Sequence, residues 1–269
     1  MFRAKSFISF SIGIALFFSP PALAQSQVRV WNSFAINAPL SKNLSAKVGY
    51  MKSLRWEENI PQTNFNWYIL KLNYELSKSW DMSIGSAWMN IPSANRTTFR
   101  LMAEGTHSQK ISRKLNLKNS LQAERHNKQE SRFDYRLIYS SRLGFRKRLD
   151  FLGVAPSLTY SLFFNFGGTP LKYFNSNQEQ IALKPANGLH RGRATTNFNF
   201  KISNPLRLSI FYTNQHEFNL VFSETNKINV TNPISGKIQT PFSNQHIVGF
   251  SLSYQLQSLM DEPILPQIF

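Results

Sequence analysis

Apolar and polar residues alternate at every second position over most of this chain. From Leu44 to Trp56, for example, the even positions carry Leu, Ala, Val, Tyr, Lys, Leu and Trp, whereas the odd positions carry Ser, Lys, Gly, Met, Ser and Arg. A period of two residues places successive side chains on opposite faces of a β-strand. No segment shows the 3.6-residue period, with capping residues, that would indicate an amphipathic helix. The pattern therefore predicts an all-β protein.

The alternating segments are long enough to cross a membrane. There are eleven of them, and their ranges are 28–38, 44–56, 68–76, 80–88, 99–107, 115–123, 133–145, 154–166, 194–202, 206–222 and 248–256. Most contain 9 to 15 residues, whereas sandwich strands usually have ~5–6 residues and tilted membrane-spanning strands ~9–11. Together with one apolar and one polar face, this length is typical of a transmembrane barrel.

The expected strand number follows from a general property of such barrels. Bacterial single-chain barrels have even numbers of strands, so eleven segments imply one strand more or one fewer. A further strand would lie within 219–244 or near 178–183, or the segment 28–38 would lie outside the wall. The sequence thus predicts an antiparallel up-and-down transmembrane β-barrel of about twelve strands, with ten as the alternative.

The connections between the segments alternate in length. The short ones are 39–43, 77–79, 109–114, 146–151 and 203–205. The longer ones are 57–64, 91–97, 127–131, 167–190 and 219–244. Short periplasmic turns and long extracellular loops produce this alternation in outer-membrane barrels.

Aromatic residues near the ends of the segments favour a membrane location. Trp80 and Trp88 lie on the same face of one segment, and the eight residue steps from one to the other span ~26 Å at ~3.3 Å each. A strand tilt of ~40° reduces this to ~20 Å, close to the ~25 Å apolar band between the aromatic girdles of such barrels. The predicted girdle residues are Trp56, Trp67, Trp80, Trp88 and Tyr254.

The first 24 residues have the composition of an export signal. Arg3 and Lys5 precede the apolar stretch 6–18, and Ala22 and Ala24 supply the small residues that a signal peptidase recognises. Cleavage there would make Gln25 the first residue of the mature chain. The predicted organisation is a signal peptide at 1–24, a barrel at 25–256 and a C-terminal tail at 257–269. The predicted location is the outer membrane of a Gram-negative bacterium.

Export changes the meaning of the strong positive charge. The 269 residues include 31 Lys+Arg against 14 Asp+Glu, a formal net charge of +17, which by itself would suggest a nucleic-acid partner. An exported protein does not meet cytoplasmic DNA or RNA, so no nucleic-acid partner is expected. The expected partners are outer-membrane lipid, lipopolysaccharide and the barrel assembly machinery. The absence of Cys excludes disulfides and thiolate metal sites.

Much of the surplus positive charge lies on the polar face of the segments, which a barrel would turn toward its lumen. The candidate members of a charge ladder in the lumen are Arg100, Glu104, Lys118, Glu124, Arg132, Asp134, Arg136, Arg142, Arg191 and Arg193. Charges in a narrow barrel are costly unless they pair, so one interpretation is a ladder that fills and rigidifies the barrel. The other is an anion-preferring constriction, because rings of Arg and Lys select anions.

No constellation of residues predicts catalysis. Barrel lipases and deacylases place His and Ser two positions apart on one strand face, so that imidazole activates the hydroxyl. None of the five histidines is followed two residues later by Ser; they are His107, His126, His190, His216 and His246. We therefore expect no catalytic residue, no metal and no cofactor. A lipid hydrolase of phospholipase or lipid A deacylase type is the alternative, because neighbouring strands can also supply partners. A secreted soluble β-sandwich is the third hypothesis.

Several short motifs resemble those of a family of outer-membrane barrels. They are Val30-Trp31-Asn32-Ser33-Phe34, Leu121-Gln122-Ala123-Glu124-Arg125, Phe133-Asp134-Tyr135-Arg136-Leu137, Phe163-Phe164-Asn165 and Val248-Gly249-Phe250-Ser251-Leu252-Ser253-Tyr254. With the signal peptide and the meander of long strands, they make the chain similar to domain-of-unknown-function family 2490. His190-Arg191-Gly192-Arg193 departs from the family, which tends to have an Asn-Arg pair there. The resemblance implies an outer-membrane barrel without an established activity, and the resulting hypothesis is a narrow pore or structural barrel with a basic lumen.

Overall fold

The chain forms a β-barrel whose strands follow one another around the wall in sequence order. The structure is a computed structural model, and the residues that it describes are 27–57, 60–130, 133–149, 153–174, 177–217, 221–222, 230–231, 238–239 and 244–256. The strands within these ranges, in chain order, are Gln27–Pro39 (β1), Leu44–Glu57 (β2), Ile60–Glu75 (β3), Trp80–Ile91 (β4), Arg96–Lys110 (β5), Leu115–His126 (β6), Tyr135–Phe145 (β7), Val154–Phe166 (β8), Leu171–Phe174 (β9), Gln180–Lys184 (β10), Gly188–Lys201 (β11), Leu206–Glu217 (β12), Val221–Phe222 (β13), Val230–Thr231 (β14), Ile238–Gln239 (β15) and Gln245–Gln255 (β16). A short 3-10 helix, Pro92–Ala94, precedes β5.

Eleven of these strands close into one barrel, which confirms the predicted all-β barrel fold. The order around the wall is β1, β2, β3, β4, β5, β6, β7, β8, β11, β12 and β16, and β16 then returns to β1. The short strands β9, β10 and β13 form a separate three-stranded sheet, and β14 pairs with β15. The predicted signal peptide, with Ala22, Ala24 and Gln25, and the predicted tail 257–269 lie outside the described residues.

The barrel has eleven strands, near the expected twelve but odd. Every neighbouring pair in the wall is antiparallel except β1 and β16, which run parallel from Gln27↔Gln245 to Asn37↔Gln255. In an up-and-down chain with an odd number of strands, the first and last strands point the same way, so only a parallel ladder can close the sheet. The expectation of an even number and of fully antiparallel pairing is therefore wrong for this chain.

The two ends of the barrel carry different connections. At one end, here called the turn end, the connections 40–43, 76–79, 111–114 and 202–205 have four residues each and 146–153 is longer. The other end, here called the loop end, carries 58–59, 92–95, 127–134, 167–187 and 218–244. The predicted long connections 57–64 and 91–97 are wrong in extent, because β3 begins at Ile60 and β5 at Arg96. In both places the strands continue beyond the alternating segments.

Apolar side chains lie outside the barrel and polar ones inside, the reverse of a soluble protein. Along β4, for example, Trp80, Met82, Ile84 and Trp88 are exposed, whereas Ser83 is buried. Among the described residues, the buried set contains more polar and charged side chains than apolar ones. A sandwich would instead bury its apolar face between two sheets, so the predicted alternative of a soluble β-sandwich is wrong.

The interior is tightly packed near the middle of the wall. Phe211 points inward from β12, and its ring lies against the backbone of Gly249 on β16. A Cβ atom at position 249 would overlap the Phe211 ring, so this close approach requires glycine.

No helix among the described residues is long and apolar enough to cross a membrane.

Candidate functional site

A cavity of about 630 Å³ occupies the loop-end half of the lumen. Its lining residues on the barrel strands all come from the half of each strand that is nearest the loop end. Its charged lining is unequal, with six arginines against two glutamates, Glu124 and Glu130. The six are Arg29, Arg96, Arg100, Arg136, Arg191 and Arg193. Together with Glu124 and the rings of Trp31, Trp67, Phe133 and Phe163, they are called the arginine region below.

Glu124 is the centre of the hydrogen-bonded part of this region. The residue is 3% exposed. One of its carboxylate oxygens accepts a hydrogen bond from Arg100 at 3.2 Å, and the same oxygen lies 2.9 Å from His126 Nε2 and 3.8 Å from an Arg136 nitrogen. Gln122 donates a hydrogen bond to the other oxygen at 2.7 Å. One carboxylate thus offsets two guanidinium groups at once.

Strand register explains why these groups meet. Gln122, Glu124 and His126 occupy alternate positions of β6, so they share its inward face. On the two neighbouring strands, His126 faces Arg100 of β5 and Glu124 faces Arg136 of β7. Residues opposite or diagonal to each other across a ladder are within reach of long side chains. Three consecutive strands therefore build this cluster from their inward faces alone.

Aromatic rings hold most of the guanidinium groups of the arginine region. Arg100 lies 4.7 Å from the Trp67 ring centroid, and Arg136 lies 4.1 Å from that of Phe133. Arg193 lies between two rings, 5.4 Å from Trp31 and 4.9 Å from Phe163. A guanidinium within about 6 Å of a ring centroid is attracted by the ring quadrupole. Stacking also fixes its plane, so its N–H groups point along defined directions.

Arg193 differs from its neighbours because no carboxylate holds it. Its Nε donates a hydrogen bond to Gln215 at 2.7 Å, and within the described part of the chain it forms no ion pair. Arg191, two positions away, pairs with Glu217 at 2.7 Å. The groups that act electrostatically on Arg193 include Arg191, Arg136 and Arg100, against the single carboxylate of Glu124. Its neighbourhood is therefore strongly positive.

The turn-end half of the lumen is built differently. Its charged side chains include Lys47, Lys71, Glu104, Lys118 and Arg142, which are called the lysine region below. Lys71 pairs with Glu104 at 2.7 Å, with the two side chains 19% and 23% exposed. Lys118 and Arg142 face each other across β6 and β7 and line a smaller cavity of about 170 Å³. None of these cations stacks on a ring in the part of the chain that the structure describes.

Small hydroxyl groups lie between the two regions. Ser140 follows Arg136 and precedes Arg142 on the inward face of β7, and its hydroxyl lies 2.7 Å from that of Ser161. Thr195 and Thr213 pair in the same way at 2.8 Å across β11 and β12. These four residues are called the hydroxyl belt. Each pair satisfies its hydroxyls within the wall, and the belt adds no charge.

The outward face carries four of the five predicted girdle residues. Trp56 and Trp88 are exposed near the loop end, and Trp80 and Tyr254 are exposed near the turn end. The prediction of Trp67 as a girdle residue is wrong. Tyr68 and Leu70 point outward from β3, and because side chains alternate along a strand, Trp67 faces the lumen, where it stacks with Arg100.

The predicted charge ladder is divided among several clusters. Glu124 brings Arg100 and Arg136 together, and Glu104 instead pairs with Lys71 across β4. Arg191 pairs with Glu217, and Arg193 stands beside Gln215. Lys118 and Arg142 form no ion pair with the described residues, and neither does Asp134 at the start of β7. The predicted member Arg132 lies outside the described residues. The prediction of one continuous ladder is therefore wrong, because the register of the strands places these charged residues beside different partners in separate clusters.

The histidines fall on both faces of the wall. His126 and His190 are buried, the latter beside the backbone oxygens of Gly188 and Pro185. His216 and His246 face outward, and the hydroxyls that they contact belong to Tyr160 and Tyr212. No group of three potential metal ligands occurs among the residues described.

Sequence reasoning missed the aromatic half of the arginine region. Trp31, Phe133 and Phe163 are apolar and were not expected to face a polar lumen. For Trp31 and Phe163 the available signal was a charged neighbour on the same face: Trp31 shares a strand face with Arg29, and Phe163 lies opposite Arg191 across β8 and β11. An aromatic residue at a lumen-facing position is the pattern to search for.

A family model identifies the family of the chain, and the comparisons establish no activity for it. A family model described as "Protein of unknown function (DUF2490)" matches residues 28–226. Among curated proteins, none matches the chain. The solved structure titled "NanC porin structure in rhombohedral crystal form" is 9% identical and aligns with a TM-score of 0.43, over 86% of this chain and 100% of that one.

Proposed function

We propose that this chain, which belongs to the family described as Protein of unknown function (DUF2490), is a non-catalytic outer-membrane β-barrel that forms a narrow, anion-preferring pore. The observation that carries the proposal is the lining of the loop-end cavity, with its six arginines and two glutamates. Rings of arginine inside a pore favour the passage of anions.

The outer surface supports the membrane part of the proposal. Contiguous exposed apolar surface on this scale is rare in soluble proteins and is found where a protein contacts lipid or a partner. Exposed aromatic residues stand at two levels, with Trp88 near the loop end and Trp80 near the turn end of the same strand. Amphipathic rings favour the two interfaces of a bilayer. The lipids of the outer membrane, including lipopolysaccharide, are therefore the proposed surroundings of this face.

The interior supports the narrowness and the charge preference. Phe211 covers Gly249 near the middle of the wall, and stacked guanidinium groups occupy the loop-end half. A cation passing the arginine region would meet Arg193, on which three arginines and the carboxylate of Glu124 act electrostatically. An anion would be attracted there, because charges interact strongly where water is partly excluded.

Reconstitution of the full chain into planar bilayers tests the pore. With KCl at two concentrations across the bilayer, the expected reversal potential has the sign of chloride preference. A cation-preferring reversal potential, or a folded protein that gives no conductance steps, would contradict the proposal. Incubation of the same protein with phospholipid and lipid A vesicles tests the non-catalytic part, and the release of fatty acid would support a lipid hydrolase instead.

Cell fractionation tests the location. The protein is expected in the outer-membrane fraction, with a gel mobility that changes on heating, as closed barrels resist detergent until they are heated. Recovery in the soluble fraction without detergent would contradict the membrane assignment.

A further inference from the structure

Arginines outnumber carboxylates among the described residues of the arginine region. Its six arginines are accompanied by Glu124 and Glu130 in the cavity and by Glu217, which pairs with Arg191. Guanidinium groups this close to one another repel, and the interaction is strong where water is partly excluded. A bound anion would reduce this repulsion, so the cavity favours negatively charged solutes.

The guanidinium groups are arranged for specific contacts as well as for attraction. Arg193 is fixed between the rings of Trp31 and Phe163, and its Nε is used by Gln215. Its terminal nitrogens form no ion pair with the described residues, so these donors are available to a ligand. A planar guanidinium with two such donors matches the two oxygens of a carboxylate or phosphate.

Part of the remaining lining is apolar and would suit a carbon frame. Phe65, Met89, Ile91 and Ile138 line the same cavity as the arginines. A volume of about 630 Å³ falls within the ~300–1,000 Å³ usual for small-molecule sites. Chloride alone would use the charge but not this apolar wall.

We propose that the arginine region is a binding site for a small organic anion that carries at least two negative charges, as carboxylates or phosphate, on a carbon frame. Arg193 contacts the oxyanion, and Trp31 and Phe163 keep its guanidinium in place. This inference rests on the proposed function, because the proposed pore supplies the route by which the anion reaches the site. It goes beyond the pore by giving the lumen a saturable site for one class of solute.

Tryptophan fluorescence of the full chain in detergent micelles tests the site directly. Trp31 and Trp67 lie in the arginine region, whereas Trp56, Trp80 and Trp88 face outward. Citrate and glucose 6-phosphate are the probes, one for carboxylates and one for phosphate, with glucose and KCl at matched ionic strength as controls. A saturable fluorescence change with either probe, absent with glucose and KCl, is the expected result. Changes that do not saturate, or that KCl reproduces, would overturn the proposal.

Two variants assign the binding to Arg193. Arg193→Gln should weaken the affinity for the probes by about tenfold or more, because it removes a charge-assisted hydrogen bond. Arg142→Gln is the matched control, since it removes the same charge from the lysine region, and its affinity should stay within about twofold. Equal weakening by both variants would contradict a site at Arg193. If Arg193→Gln does not fold, Arg193→Lys keeps the charge and should still weaken binding, because lysine lacks the planar pair of donors.

The site and the pore can fail separately. Saturable binding without conductance would refute the pore and leave the site standing. Anion-selective conductance without saturable binding of either probe would refute the site and leave the pore standing. Block of the conductance by citrate or glucose 6-phosphate, relieved in Arg193→Gln, is the result expected if both are correct.

Discussion

The two halves of the lumen use positive charge in different ways. In the arginine region, Arg100, Arg136 and Arg193 lie against aromatic rings, and the central carboxylate of Glu124 is almost fully buried. In the lysine region, the Lys71–Glu104 pair is partly exposed. The hydroxyl belt separates the two with neutral hydrogen bonds. The same wall thus holds a rigid basic cluster at its loop end and a more solvated one at its turn end.

The difference shows how the side-chain type decides what a basic lumen can do. Lysine is a compact, strongly hydrated point charge on a flexible stem, whereas arginine is planar, weakly hydrated and able to stack. Stacked arginines keep their position without a carboxylate partner, so their charge can act on a solute. The loop end is therefore the half in which we expect selectivity to be decided.

The largest expected difference between the halves is in stability. Glu124→Gln removes the carboxylate that Arg100 and Arg136 share, and breaking a buried ion pair in this way costs about 3–5 kcal/mol. Glu104→Gln breaks the partly exposed pair with Lys71, for which a loss of about 1 kcal/mol or less is expected. Urea unfolding in detergent, followed by tryptophan fluorescence, measures both losses. Equal losses would show that burial does not distinguish the two pairs.

Charge reversal is expected to have the next largest effect, on selectivity. Arg193→Glu places a negative charge in the cavity, so the chloride-to-potassium permeability ratio should fall by roughly tenfold. Arg142→Glu makes the same change in the lysine region and should alter the ratio much less. Reversal potentials in planar bilayers provide the measurement. A larger effect at Arg142 would move the selective part of the lumen to the turn end.

Removal of one aromatic ring from the arginine region should produce a smaller loss of stability and of probe affinity. Phe163→Leu deprives Arg193 of one stacking partner, and a cation–π contact contributes about 1 kcal/mol to the free energy of unfolding. Phe166→Leu is the control on the same strand, because Phe166 is exposed on the outward face. Phe163→Leu should lower the urea midpoint and the probe affinity, whereas Phe166→Leu should leave the affinity unchanged. Equal loss of affinity in both variants would argue against stacking as the cause.

Substitutions in the hydroxyl belt should have the smallest effect on the free energy of unfolding. Thr195→Val or Thr213→Val alone leaves one hydroxyl without its partner, at a cost of about 1 kcal/mol. The double variant replaces both hydroxyls by methyl groups of the same shape and should cost less than the sum of the two single variants. A double-mutant cycle of unfolding free energies measures this coupling. Simple additivity would show that the two hydroxyls do not depend on each other.

Particular residues show how far sequence reasoning extends into the site. The alternation along β6 and β7 was sufficient to place Glu124 and Arg136 on inward faces, because parity is a local property of a strand. The same alternation places the Trp67 side chain on the inward face of β3, although its position near the end of a segment suggested that it belongs to an aromatic girdle. The pairing of Glu104 with Lys71, across β4, could not be predicted. It depends on the stagger of three strands relative to one another, and the alternation of residues along a single strand gives no information about that stagger.

By itself, the sequence determined the strand class, strands long enough to cross a membrane and the alternation that groups side chains onto two faces. These follow from a period of two, which is set within each strand. Only the tertiary structure decided that eleven strands close with a parallel ladder between β1 and β16, because closure depends on residues at opposite ends of the chain. It also decided that Arg193 of β11 stands between Trp31 of β1 and Phe163 of β8. The curvature and register of the closed wall bring these three together, and no local pattern encodes that meeting.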